Sequence, residues 1–214
     1  KILYGIESKE DVDIYADNIR TTPKGSTFKL HIKDKGTVEC RTKLLGNHNI
    51  LNILAGVAAA YAMDMTLVQI SSGIDKIESV EHRLQLIDPG TGVYVIDDAF
   101  NSNPKGAEAA LEVLKDFNEG NKIIVTPGMV ELGKLQDDEN FKFGEKIAEV
   151  CDEVILVGKR QTKPIYEGLK NKEFNMEKVH TVKDLKEAQE LISDIVKVND
   201  VILFENDLPD TYSE

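Results

Sequence analysis

The sequence predicts an α/β protein. Its larger part, residues 79–214, reads as a doubly wound, mostly parallel sheet, preceded over residues 1–78 by a smaller segment of strands and helices. Three observations carry this reading. From residue 82 onward, strand and helix patterns alternate regularly. The strands of that part are continuous runs of Val, Ile and Leu, the composition of strands buried on both faces. The change of grammar falls at Ser79-Val80, a short linker.

Residues 1 to about 45 read as β structure. ILYGI comes first, then STFKLHI and TVECRTKLL on either side of Lys33-Asp34-Lys35-Gly36, where Gly supplies the positive φ that a hairpin turn needs. STFKLHI alternates, so one of its faces is expected to be buried. An Ala-rich helix follows from Asn49 to about Met63, with Leu51, Leu54, Ala55, Ala58 and Ala59 spaced as an apolar stripe. A second helix is expected over Leu67 to Ile77. A piece this small buries little surface and its first helix is unusually apolar, so residues 1–78 read as the end of a larger domain. Lys1 stands where a strand is already beginning, and the first residues lack the basic, apolar and small-residue pattern of a signal peptide, which reads as a fragment of a longer chain.

The second part opens with a hairpin, RLQLID and VYVID around Pro89-Gly90-Thr91-Gly92. KIIVT, EVILVG, a weaker KVHTV and DVILF are the following strands, separated by helical stretches at 105–117, 137–150, 161–170 and 183–196.

Charge and composition exclude several classes. Lys plus Arg number 26 and Asp plus Glu 38, a net charge of −12 that repels a nucleic-acid backbone, and no basic stripe offsets it. The most apolar stretch, Ile50 to Met63, is broken by Asn52 and is shorter than the roughly 20 residues of a membrane span. Cys40 and Cys151 lie far apart and form no metal-type pair, as expected of reduced thiols in a cytoplasmic protein.

Four stretches concentrate polarity where an α/β sheet exposes it. In GNHNILN (46–52), Asn47 or His48 can cap the Ala-rich helix. Asn49 and Asn52 share one side of its first turns, where a carboxamide offers the donor and acceptor that pair with an adenine edge. In EHRLQ (81–85), Arg83 has the donor fork that suits phosphate, although a surface ion pair is the commoner use of such a residue. In VIDDAFNSNP (95–104), Asp97, Asp98, Asn101, Ser102 and Asn103 sit at a strand's carboxyl end, the place where open α/β sheets collect ligands. Alternation sends Asp97 and Asp98 to opposite faces, so one is expected to meet a ligand and the other to serve structure. Asn103 is the expected N-cap and Pro104 the first residue of the next helix. TPGMVELGKLQ (126–136) gives a tight strand-to-helix path but lacks the Gly-Lys-Ser/Thr of a Walker loop, as does the rest of the sequence.

Taken in order, GNHNILN, EHR, VIDDAFNSNP, GMVELG and VILFENDLPD resemble the Mur ligases of peptidoglycan synthesis. The resemblance runs over essentially the whole chain. His-Asn-x-x-Asn and Asp-Asp-x-x-Asn-x-Asn-Pro are its specific elements, and Glu-Leu-Gly supports them. It implies that residues 1–78 are the carboxy-terminal part of a central P-loop ATPase domain, without the P-loop, and that 79–214 are the Rossmann-like domain that closes over the site. ATP-dependent amide formation through an acyl phosphate is the implied activity, with D-alanyl-D-alanine and a UDP-muramoyl-tripeptide as substrates. The family element Asp-Asn-Pro-Arg, which serves a diamino acid, is absent here.

For ATP the resemblance implies Asn52 at the adenine with Asn49 and His48 in support, Asp98 at the ribose, and Arg83 at the phosphates once the closing domain rotates about residues 78–82. Asn101, Ser102 and Asn103 are implied neighbours of the incoming amine. No catalytic or metal-binding residue is assigned, and the Walker Lys and the main Mg²⁺ ligands are expected upstream. Another Mur-type ligase, or a folylpolyglutamate-type ligase that shares the plan, is the first alternative. A receiver-like Mg²⁺-binding module, favoured only by the VIDD acidic pair, is the second.

Overall fold

A computed structural model describes residues 1–6, 11–22 and 24–207. The chain divides into two units between Val80 and Glu81.

The first unit holds a four-stranded sheet in the order β1 (Tyr4–Ile6), β2 (Ile14–Thr22), β3 (Gly25–Ile32), β4 (Gly36–Thr42). β1 pairs parallel to β2, and β2–β3 and β3–β4 pair antiparallel. The expected turn is present, with Asp34 at φ 63° and Gly36 at φ 103°. β2, IYADNIRTT, has no counterpart in the sequence reading. Its register shifts between Asp17 and Arg20, with Asn18 at φ 53°, and a bulge of this kind destroys the strict alternation by which a strand is recognised.

Two helices pack in this unit, α1 (Asn47–Ala62) and α2 (Leu67–Asp75). α2 starts with a capping box, Thr66 Oγ1 accepting from Gln69 N (3.3 Å) and Gln69 Oε1 accepting from Thr66 N (2.9 Å). The N-cap position of α1 is Gly46, which has no side chain to accept a hydrogen bond; Asn47 and His48 lie inside the first turn, which corrects the expected capping role. The stripe is corrected as well: Ile50, Ile53, Leu54 and Val57 are buried, whereas Leu51 is 40% exposed. On a helix apolar nearly all round, periodicity does not select a face. The branched side chains fill the space against Ile14, Ala16, Phe28 and Leu30, with Ala58 and Ala60 at the edge of that contact, and Ala55 and Ala59 are left outward.

The second unit is a six-stranded sheet in the order β5-β6-β10-β7-β8-β9. Its strands are β5 (Gln85–Ile87), β6 (Tyr94–Asp98), β7 (Lys122–Thr126), β8 (Glu153–Val157), β9 (Val179–Val182) and β10 (Val201–Glu205). β5 is the antiparallel edge that forms the opening hairpin with β6, and all other pairings are parallel. The helices are α3 (Pro104–Lys115), α4 (Gln136–Val150), α5 (Lys163–Asn171) and α6 (Leu185–Ile195). α6 covers one face through Ala188, Leu191 and Ile192 against Ile123, Val125, Ile155 and Ile202. The alternate residues Ile96, Ile124, Val154, Leu156 and Leu203 are also buried, as a sheet covered on both sides requires.

Cys40 and Cys151 are buried and unpaired, and burial pushes the Cys40 thiol up to about 11. Among the described residues no helix is long and apolar enough to cross a membrane.

α4 and α5 cross at two glycines. A Cβ on Gly144 would lie 2.2 Å from the Ile165 carbonyl oxygen, and one on Gly168 would lie 2.1 Å from that of Phe141. Neither backbone can yield without parting the helices. Gly144→Ala is therefore expected to destabilise the protein by about 1–3 kcal/mol, read as a lower Tm in thermal unfolding.

Candidate functional site

The carboxyl ends of β6, β10 and β7 bring the polar residues of the second unit together. Register sets Glu205 beside Asp98 and Phe204 beside Asp97, so Asp98 and Glu205 share one face while Asp97 lies on the other.

On the first face Asp98 Oδ1 accepts from the Leu84 amide (3.0 Å), and Glu205 Oε1 accepts from Ser102 Oγ (2.5 Å). Glu205 is only 1% exposed, and its Oε2 has no donor. Burial pushes the Glu205 carboxyl up to about 8, and the neighbouring Asp98 charge adds to the rise. Asp98 is raised by burial too, against the opposing pull of the Leu84 N–H and the Arg83 charge.

On the other face Asp97 Oδ1 accepts from the Ala99 amide (3.1 Å), and its Oδ2 lies 2.9 Å from His82 Nδ1. Both aspartates thus have structural partners. Asp97 also lines a hollow of about 690 Å³ with His82, Phe100, Pro127, Lys183 and Phe204.

Arg83 lies between two left-handed residues, His82 at φ 58° and Leu84 at φ 46°, conformations that non-glycine residues hold only where their surroundings fix them. Its guanidinium is 4.3 Å above the Phe100 ring, and its Nη1 donates to Asn101 Oδ1 at 2.7 Å. Phe100 itself is 60% exposed. Asn103 caps α3 as expected, accepting from the Gly106 amide at 3.0 Å, with Pro104 as the first helical residue.

The loop after β7 is tied on two sides. Asn140 Oδ1 accepts from Met129 N, and its Nδ2 donates to the Met129 oxygen, both at 2.8 Å. Gly128, at φ 82°, passes so close that a Cβ would meet Asn140 Oδ1 at 2.8 Å. Asn206 Nδ2 donates to the Gly128 oxygen (2.6 Å) while its backbone N–H donates to the Asp98 oxygen (3.2 Å), joining the ends of β6, β10 and β7.

In the first unit Asn49 Nδ2 donates to the Leu45 oxygen (2.9 Å), and Asn52 Nδ2 reaches Asn49 Oδ1 at 3.4 Å. Asn52 stands at the rim of a groove of about 330 Å³ between α1 and α2, lined also by Gly56, Gln69 and Gly73. His48 is half-buried, and burial lowers its affinity for a proton.

The structure therefore gathers Arg83, Asp98, Asn101, Ser102 and Asn103 in one unit and His48, Asn49 and Asn52 in the other. Sequence reasoning assigned no role to Glu205, Asn206 or Asn140. The signal for the first two was available, because VILF-Glu-Asn ends a buried strand in polarity just as VI-Asp-Asp does. Residues 208–210 of VILFENDLPD lie outside the described residues. Among the described residues, no cluster of three or more His, Cys, Asp or Glu side chains could hold a metal ion.

Comparison with known proteins adds independent findings. The family model described as Mur ligase, glutamate ligase domain, matches residues 82–205, and that of the Mur ligase middle domain matches residues 1–60. UDP-N-acetylmuramoyl-tripeptide--D-alanyl-D-alanine ligase of Buchnera aphidicola subsp. Baizongia pistaciae is 34% identical over 126 residues, 59% of this chain and 27% of that protein. UDP-N-acetylmuramoyl-L-alanyl-D-glutamate--2,6-diaminopimelate ligase of Bacillus licheniformis is 34% identical over 124 residues, 58% of this chain and 25% of the relative. A crystal structure of MurF from Acinetobacter baumannii superposes with a TM-score of 0.78 at 27% identity, covering 95% of this chain and 43% of that one. The chain thus spans about a quarter of the length of these curated relatives.

The raised carboxyls have a measurable consequence. Glu205 holds its proton more tightly in the folded unit than in an unfolded chain, so between its ordinary value of 4.5 and about 8 the folded form binds more protons, and Asp98 is raised in the same direction. Stability from this source is complete at acid pH and is lost as pH rises through that window. Glu205→Gln, which removes the titration, is expected to flatten the fall in Tm with pH when the two proteins are melted side by side.

Proposed function

The chain belongs to the Mur ligase family, and on that premise we propose that it is the carboxy-terminal part of an ATP-dependent ligase that joins D-alanyl-D-alanine to a UDP-N-acetylmuramoyl-tripeptide in the bacterial cytoplasm. A carboxylate is a poor electrophile. In the proposed reaction the tripeptide's terminal carboxylate accepts a phosphoryl group from ATP, and the amine of the dipeptide attacks the resulting acyl phosphate. The tetrahedral intermediate then collapses to the amide with loss of phosphate. The protein's share is positioning and charge stabilisation.

One observation carries the reading of the site. At the end of β6, Arg83 is held by Phe100 and Asn101 while Asp98 is held by the Leu84 amide, so a cationic fork and a carboxylate are fixed together before any ligand arrives. In this proposal Arg83 meets phosphate oxygens and Asp98 the ribose hydroxyls. Asn52, exposed at the rim of its groove, takes the adenine edge, with Asn49 orienting it and the half-buried His48 behind. The segment Asn101–Asn103, whose side chains serve Arg83, Glu205 and the α3 cap, borders the incoming amine. In this proposal the Walker Lys and the main Mg²⁺ ligands, which would neutralise phosphate charge, come from an upstream part of the same ligase.

The test is phosphate release by the full-length gene product supplied with ATP, Mg²⁺, UDP-muramoyl-tripeptide and D-alanyl-D-alanine. Release is expected only when both substrates are present, and replacing the dipeptide by a diamino acid should abolish it. Arg83→Ala and Asp98→Ala should each raise KM for ATP about 10- to 100-fold, the cost of a lost charge-assisted hydrogen bond. Unchanged KM and kcat in both variants would remove the nucleotide assignment. Silence with every muramoyl peptide would turn the search to folate-type substrates.

A further inference from the structure

Glu205 is a buried acid with no cation of its own. It ends β10, the strand held between β6 and β7, and is 1% exposed. Oε1 accepts the short hydrogen bond from Ser102 Oγ, and Oε2 has no donor. What faces Glu205 is the carboxyl of Asp98, its partner in the register of β6 and β10. Two ionised carboxylates would repel each other in this buried place. With one proton between them the geometry is satisfied, because a protonated Oε2 donates to Asp98 while Oε1 still accepts from Ser102.

We propose that Glu205 is a positioning residue, which bridges Ser102 on one oxygen and Asp98 on the other and thereby fixes the 98–102 segment in the geometry that presents Asp98 and Arg83 to the nucleotide. The proposal rests on the reading of Asp98 as a nucleotide contact. Ser102 is separated from Glu205 by 103 residues, so the bridge is a tertiary device rather than a feature of one loop. It also connects to Arg83, whose Nη1 is held by Asn101 in the same segment.

The charged groups around the bridge are few. β6 brings Asp98 and, acting on Asp98, Asp97; the stretch before β5 brings Arg83, whose charge also acts on Asp98. The loop before α3 contributes the Ser102 hydroxyl. The buried face of α3, with Ala107, Ala110 and Leu111, carries nothing titratable. At the end of β7, Thr126 is a neutral hydroxyl that accepts from the Gly128 amide. The amide of Asn206 is turned to the Gly128 oxygen. The proton on the bridge is therefore lost as pH rises through the value to which burial lifts Glu205, about 8. Above it two carboxylates oppose each other and the segment is released.

The experiment is the dependence of KM for ATP on pH, on both sides of 8, in the full-length gene product, for the wild type, Glu205→Gln, Glu205→Leu and Asp98→Ala. Gln reproduces the protonated acid, with its amide nitrogen donating to Asp98 and its oxygen accepting from Ser102. The wild type is expected to lose about tenfold in KM across the window, with kcat less affected, while Glu205→Gln keeps the low-pH value throughout. Glu205→Leu should show the weakened KM at every pH. A Gln variant that weakens with pH as the wild type does, or a Leu variant with wild-type KM, overturns the proposal. Should Glu205→Leu fail to fold, the comparison of wild type with Glu205→Gln decides alone. Asp98→Ala separates the two layers of the argument. If it leaves KM unchanged, the reading of Asp98 as a nucleotide contact and the positioning role both fall. If it raises KM while Glu205→Leu does not, only the positioning role falls.

Discussion

The candidate site depends on the pairing of β10 between β6 and β7. That pairing sets Phe204 and Glu205 in register with Asp97 and Asp98, and it places Asn206 where it binds both the end of β6 and the loop after β7. The strands involved are far apart in sequence, so β6 stays an exposed, half-paired hairpin arm until the chain beyond residue 200 has returned to it. Parallel pairing requires this kind of long crossover, and its closure entropy must be met before Glu205 and Asn206 reach the end of β6. The reward is a set of strand ends held rigidly enough to aim side chains.

Electrostatics at those ends is shaped by burial more than by the chain's overall acidity. The protein carries a net charge of −12, yet its site residues are matched locally. Arg83 is flanked by an aromatic face and a carboxamide, contacts that hold its orientation without neutralising it. A guanidinium so placed keeps its charge for an incoming anion and has less conformational freedom to lose on binding. The carboxyls of Asp98 and Glu205 adjust to each other instead through a proton, the low-cost way of burying two acids side by side.

The first unit follows a different logic. Its helix α1 rests on the sheet through Ile50, Ile53, Leu54 and Val57, which leaves Asn52 exposed at the rim of the groove beside α2, with the half-buried Asn49 one turn before it. A carboxamide on a rigid helix is held here by a second carboxamide one turn earlier, which is itself tied to the Leu45 oxygen.

Local chemistry was enough to read much of this in the sequence. The alternation after residue 82, the hairpin around Pro89-Gly90-Thr91-Gly92 and the Asn103-Pro104 start of α3 each follow from contacts within a few residues, and so each was legible. So were the opposite faces of Asp97 and Asp98, because alternation is a property of the strand itself. What tertiary structure alone decided were the choices made by distant partners. The bulged β2 is a strand only because β1 and β3 pair with it, and the buried face of α1 was selected by the sheet that it covers. Glu205 becomes a buried acid only because β10 enters the middle of the sheet beside Asp98. Local preferences are set by a residue's neighbours in the chain, whereas strand order, facing and the environment of a titratable group are set by packing between segments that sequence proximity does not join.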